Sequence, residues 1–264
     1  MFLPSRFFTA DSFPFTEKNM KEFINYAHRG ASQYAPENTF ASFYLGWRMG
    51  ANGIETDIQC TRDGIPVLFH DDTMERIAGL SCRVRDLSYD ELRLIDAGSH
   101  KGEEFKGEKI PSLEEFLHHF SQKGLHLALE IKQPGIEQAI IPLIRKYCSP
   151  DRVIVTSFQW DALLSFRKAM PEARTGYLSK AESPELIEAM KKAGIFQYCP
   201  NAGTWTPEWD KRFRDEGFSI RAWGVKNEQL MMKMLSMRVD GMTVNFPDKL
   251  REATDALRLQ NGSP

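Results

Sequence analysis

Short apolar strand patterns alternate with amphipathic helix patterns along nearly the whole chain. Strand-like runs begin near residues 24, 53, 126, 152, 173, 196, 218 and 239. Helix patterns separate them: to about Met49 after Asn38-Thr39, then 113–120, 136–147, 161–170, 184–193, 207–216 and 228–237, with a last one reaching about Leu257. Strand–helix alternation demands crossover connections, and these make parallel sheets. Eight such units in 264 residues predict a (β/α)8 barrel of the TIM type. An open doubly wound sheet is the rival, and it usually carries Gly-x-Gly-x-x-Gly after its first strand; that motif is absent here.

The second unit departs from a simple strand. Gly53-Ile54-Glu55-Thr56-Asp57-Ile58-Gln59 alternates, so Glu55 and Asp57 share one face. Two acids side by side repel unless a cation lies between them. Asp63-Gly64 then signals a tight turn, and Pro66 to His70 runs back antiparallel. His70 is thereby returned toward the acids.

Barrel enzymes gather their chemistry at the C-terminal ends of the strands. His28 and Arg29 end the first strand, Glu55 and Asp57 the second, Glu130 and Lys132 the third and Trp223 the seventh. Three carboxylates make an oxygen-only site suited to Mg2+ or Ca2+ rather than zinc. Arg29 can grip a phosphate with two N–H groups, and Lys132 adds a point charge. Two imidazoles can supply a base and an acid. The inventory suits a phosphodiester.

Composition narrows the partners. A net charge of −2 gives no sign of a nucleic acid or anionic membrane partner. No apolar run is long enough for stable membrane insertion. Cys60, Cys82, Cys148 and Cys199 are scattered, which fits a reducing compartment. The first residues lack the apolar core of a signal peptide, so a cytoplasmic location is the default, although a mature secreted chain would read the same. Nothing in the sequence bears on oligomeric state. Residues 1–20 read as an arm, 21–264 as one catalytic domain, and 72–111 as a small insertion within it.

The residues also resemble a family. His28-Arg29-Gly30, Pro36-Glu37-Asn38-Thr39, Glu55-x-Asp57, Thr61-x-Asp63-Gly64, Pro66-Val67-x-x-His70-Asp71 and Glu130-Ile131-Lys132, in this order, resemble the glycerophosphodiester phosphodiesterases, from about Ile24 to Pro247. The resemblance implies a (β/α)8 barrel with a small insertion after the second strand's hairpin. It implies hydrolysis of small glycerophosphodiesters to glycerol 3-phosphate and an alcohol, with one divalent cation. On the same basis Glu55, Asp57 and Glu130 are the metal ligands, and His28 and His70 the acid/base pair. Arg29 and Lys132 hold phosphate, and Glu37 orients the first loop. Asp71 either positions His70 or lies in an exposed turn. Trp223 either floors the glycerol groove or is core. The family commonly has Trp-Thr-Val-Asn where this chain has Trp223-Gly224-Val225-Lys226, and Thr-Asp where it has Val244-Asn245. These departures bear on substrate preference more than on the reaction. Two other readings are a lysophospholipase D-type enzyme, with Trp205, Trp209 and Phe213 either lining an apolar groove or equally well packed as core, and a silent phosphate-binding barrel. The stripe of Phe40, Phe43, Tyr44 and Trp47 is expected in the core.

Overall fold

In the computed structural model, residues 23–260 are described. The expected arm, and the ends of the expected domain at 21–22 and 261–264, lie outside them. Eight parallel strands form a closed ring: β1 (Ile24–His28), β2 (Gly53–Cys60), β4 (His126–Ile131), β5 (Val153–Ser157), β6 (Arg174–Ser179), β7 (Gln197–Pro200), β8 (Ser219–Val225) and β9 (Gly241–Val244). The ring closes where β1 pairs with both β2 and β9. A short β3 (Pro66–Leu68) pairs antiparallel with β2, with Ile58 opposite Leu68. This is a (β/α)8 barrel carrying the expected hairpin. An open doubly wound sheet is excluded by the closure.

The helices cover the outside. They are α1 (Phe40–Arg48), α4 (Leu113–Phe120), α5 (Glu137–Tyr147), α6 (Trp160–Ala169), α7 (Pro184–Ala193), α8 (Pro207–Asp215), α9 (Glu228–Ser236) and α10 (Pro247–Gln260). Caps fix several starts. Thr39, not Asn38, begins α1, accepting from the Ser42 backbone N–H while Ser42 Oγ accepts from the Thr39 N–H. Serines cap α4 and α7, and Thr206 caps α8.

Alternation along each strand sends one set of side chains out to the helices. Ile54 and Ile58 pack with Phe43, Phe116 and Phe120. The other set fills the barrel, where Ile24, Tyr26, Ala128 and Ile154 form an apolar plug. The α1 stripe divides: Phe43 is fully buried, but Trp47 is 38% exposed, with Lys123 Nζ 4.4 Å above its ring. The stripe is wider than the contact, so its last member faces water. Trp205 and Phe213 are fully buried and Trp209 packs against them. Tyr198 stacks on Phe213 at 4.0 Å. These aromatics fill the space between barrel and helices, so they line no groove.

Residues 72–111 hold α2 (Glu75–Ala78), α3 (Tyr89–Leu92) and two 3-10 turns. Met74, Ile77, Val84, Leu92 and Ile110 pack beneath them against Val67 and Phe69.

Candidate active site

Parallel register brings the polar groups together. His28 pairs with Glu55 across β1 and β2, and Asp57 pairs with Glu130 across β2 and β4. Residues level with one another in neighbouring strands point the same way. One carboxylate oxygen from each of Glu55, Asp57 and Glu130 lies within 4.8 Å of the other two, and all three residues are buried.

The first loop is strained around them. Arg29 (φ 54°) and Asn38 (φ 55°) both occupy the left-handed region although neither is glycine. Gly30 (φ 82°) lies so close to α1 that a Cβ there would collide with Ser42. The outcome is specific. Asn38 Nδ2 donates to Asp57 Oδ2 at 3.0 Å, and Thr56 Oγ1 donates to Asn38 Oδ1 at 2.8 Å. Arg29 Nε lies 3.0 Å from Asp57 Oδ2, and its Nη1 donates to Glu37 at 2.8 Å. Glu37 also receives two bonds from Arg76 on α2, at 2.8 and 2.7 Å. Glu37 therefore stands behind Arg29 as its anchor.

Lys132 Nζ donates to Glu130 at 3.0 Å and lies 3.8 Å from Asp57 Oδ1. Asp57 Oδ1 itself is buried and accepts no hydrogen bond. An orphaned buried carboxylate oxygen beside two more acids is a demand for a cation. The oxygen-only donor set fits Mg2+ or Ca2+. Burial pushes Glu55 up to about 8 and Glu130 up to about 7, and the neighbouring acids add to both shifts. Burial alone would raise Asp57 too, but Arg29, His70 and Lys132 hold it below the ordinary range.

The two imidazoles flank this cluster. His28 Nδ1 lies 2.6 Å from Asn245 Oδ1, and its Nε2 is 3.9 Å from Glu55 Oε2. Enclosure, with Arg29 adjacent, lowers His28 to about 4, so the ring is neutral near pH 7. His70 Nδ1 is 2.7 Å from Asp71 Oδ1. A carboxylate only accepts, so Nδ1 carries the proton and Nε2 is left unprotonated when the ring is neutral. Burial would raise Asp71, but Arg76 and His70 draw it down to about 2. Asp71 is partly buried against His70 and Arg76 rather than lying in an exposed turn.

A cavity of about 280 Å³ opens over the cluster. His28, Arg29, Glu55, His70, Glu130, Phe158, Trp223, Lys226 and Asn245 are among its walls. Trp223 is half-buried there, donates to the Cys199 carbonyl at 3.0 Å and meets Phe158 edge-on at 4.9 Å. It belongs to the cavity wall rather than to the core. Sequence reasoning passed over Arg221. This arginine is 1% exposed yet lines the cavity. It donates to Gln197 at 3.0 Å and Thr243 at 2.7 Å. A charge between Ile220 and Ala222 in a buried strand was the available signal. Arg76 and the Asn245 contact were also missed.

Comparison with known proteins agrees with this geometry. Residues 28–249 match the glycerophosphoryl diester phosphodiesterase family. A glycerophosphodiester phosphodiesterase of Caldanaerobacter subterraneus is 33% identical over 85% of this chain and 94% of its own. One from Bacillus altitudinis is 33% identical over 86% of this chain and 97% of its own. Among solved structures, an Oleispira antarctica phosphodiesterase in complex with the product sn-glycerol-3-phosphate superposes with a TM-score of 0.83 at 30% identity, covering 87% of this chain and 96% of that one.

Proposed function

From the premise that the chain belongs to the glycerophosphoryl diester phosphodiesterase family, and is an enzyme of that activity, we propose a metal-assisted mechanism in which two histidines share the proton transfers. The substrates are small glycerophosphodiesters, and the products are glycerol 3-phosphate and an alcohol. Glu55, Asp57 and Glu130 would hold one Mg2+ or Ca2+. Once bound, such an ion polarises a phosphoryl oxygen and offsets charge that builds up as the ester bond breaks. The observation that carries this reading is the buried triad within 4.8 Å, with an unsatisfied Asp57 oxygen, beside both imidazoles.

His28, neutral and pinned through Nδ1, presents Nε2 as the base that takes a proton from the hydroxyl whose oxygen bonds to phosphorus. That hydroxyl is either water's or the substrate's own next to the ester, and in the second case water opens the cyclic phosphate formed. His70, with Asp71 as counter-charge, delivers a proton to the departing alkoxide. Over the full reaction the phosphorus–oxygen bond to the alcohol breaks and one water is consumed. Each such proton transfer is typically worth about 10² to 10⁴ in rate. Arg29, held by Glu37 and Asp57, and Lys132 counter the phosphate charge. Trp223 and Phe158 offer an apolar surface to the glycerol carbons.

The lysophospholipid reading needed a long apolar groove, but Trp205 and Phe213 are buried in the core and Trp209 packs against them. A silent barrel would lack an acid or an imidazole, and all are in place. Among the described residues no helix is long and apolar enough to cross a membrane. All four cysteines are free thiols, in keeping with a reducing, cytoplasmic setting.

The test is direct. Purified protein is incubated with several glycerophosphodiesters in Mg2+, Ca2+ or chelator, and glycerol 3-phosphate is measured. Release that needs a divalent ion supports the proposal. Undiminished release in chelator, after exhaustive metal removal, refutes the metal role.

A further inference from the structure

Lys226 is the one cavity-lining cation with no protein partner among the described residues. Arg29 is tied to Glu37 and Asp57, and Arg221 to Gln197 and Thr243. Lys226 follows directly on β8, is exposed, and takes part in neither an ion pair nor a hydrogen bond among the described residues. The acid nearest to it in sequence, Glu228, is held by Lys249 Nζ at 2.6 Å.

With ion and substrate in place, the charges beneath it balance without Lys226. The carboxylates Glu37, Glu55, Asp57, Asp71 and Glu130 face the cations Arg29, Arg76, Lys132 and Arg221. A divalent ion on the triad and the single negative charge of a phosphodiester bring that set to neutrality. Lys226 is left over. Among the described residues, the only acids in the cavity wall are Glu55 and Glu130, which the ion engages, so a cationic group on the substrate finds no free carboxylate there.

Resting on the function proposed above, we propose that Lys226 makes the enzyme favour glycerophosphodiesters whose alcohol carries its own negative charge, a carboxylate or a second phosphate, over those carrying a trimethylammonium group. The competing recognition is the Phe158–Trp223 corner, whose ring faces could attract a quaternary ammonium.

The test compares three diesters of sn-glycero-3-phosphate: with glycolate (anionic), glycerol (neutral) and choline (cationic). The wild-type protein is expected to show kcat/KM higher for glycolate than for choline by about tenfold, falling with added salt. Lys226→Asn should shrink that ratio about three- to tenfold, mainly through KM, and Lys226→Arg should keep it. Calorimetric binding of the same diesters to His28→Ala protein, with and without Lys226→Asn, should show the same ratio without turnover. A wild-type preference for choline, or a ratio that Lys226→Asn leaves unchanged, overturns the inference. Failure to hydrolyse any of the three would instead count against the proposed function, and the binding ratio would still decide the role of Lys226.

Discussion

The side chain of Asn245 meets the ring of His28 at 2.6 Å across 217 positions of sequence. The contact spans the seam where β9 closes on β1. It fixes which nitrogen of His28 faces the cavity. Replacing Asn245 with Leu should lower kcat about tenfold and broaden the pH profile, because the ring is freed to turn. Asn245→Asp, which keeps an acceptor in place, should retain more activity than Asn245→Leu. His28→Ala should lose at least about 10² in kcat while binding metal normally. Rate profiles and metal titration check all three. Equal activity for wild type and Asn245→Leu would remove Asn245 from any positioning role.

Glu55→Gln keeps the shape of the site and removes one charge. Its affinity for Mg2+ or Ca2+ should fall at least about 100-fold, with turnover lost in parallel. Isothermal titration measures the first and product release the second. Full metal affinity in the variant would exclude Glu55 as a ligand.

Without metal, the acid cluster should make stability fall with rising pH. Glu55 at about 8 and Glu130 at about 7 sit above the ordinary carboxylate range near 4.3. A carboxyl whose folded value is raised binds its proton more tightly when folded, so the native state loses stability as pH climbs through these values. His28, lowered to about 4, acts in the opposite sense only below its ordinary value of about 6.5. Melting temperature in chelator should therefore fall from about pH 4.5 to about pH 8, most steeply just above 6.5 where His28 no longer opposes it, less so for Glu55→Gln, and metal should flatten the curve. A rising or flat profile for the metal-free wild type would contradict the buried, mutually repelling acids.

Arg221 is a structural as well as an electrostatic element. Arg221→Met removes donors from Gln197 and Thr243 and a positive charge from beneath Glu55. Breaking a buried charged network by removing one member typically costs about 3–5 kcal/mol. Urea denaturation should register a loss of that size. A change below about 1 kcal/mol would mean that water replaces the guanidinium freely.

Strand–helix alternation made the barrel readable, because each period reports which face a residue turns to the core. Glu55, Asp57 and Glu130 were legible for the same reason: an acid turned inward on a buried strand is costly unless a cation meets it. His70 was legible through the Asp63-Gly64 turn, where Gly64 adopts φ 81°. Partners that depend on three-dimensional closure were not. Asn245 touches His28 only because the ring shuts, and Arg76 reaches Glu37 and Asp71 from an irregular segment without a period. Trp205 and Phe213 stayed open between groove and core until the fold placed them in the core, since helical spacing alone does not say whether an aromatic faces a groove or a neighbouring helix.

The seam between the first and last strands has a consequence for biosynthesis. Every acid of the proposed ion site, and both imidazoles, emerge from the ribosome by residue 130, yet Arg221, Trp223 and Asn245 follow in the final quarter. Until Gly241–Val244 is made, β1 presents an unpaired edge where β9 will dock. A nascent chain thus carries the acids and imidazoles before it carries the strand that closes the ring, and the wall that Arg221, Trp223 and Asn245 give the cavity comes last.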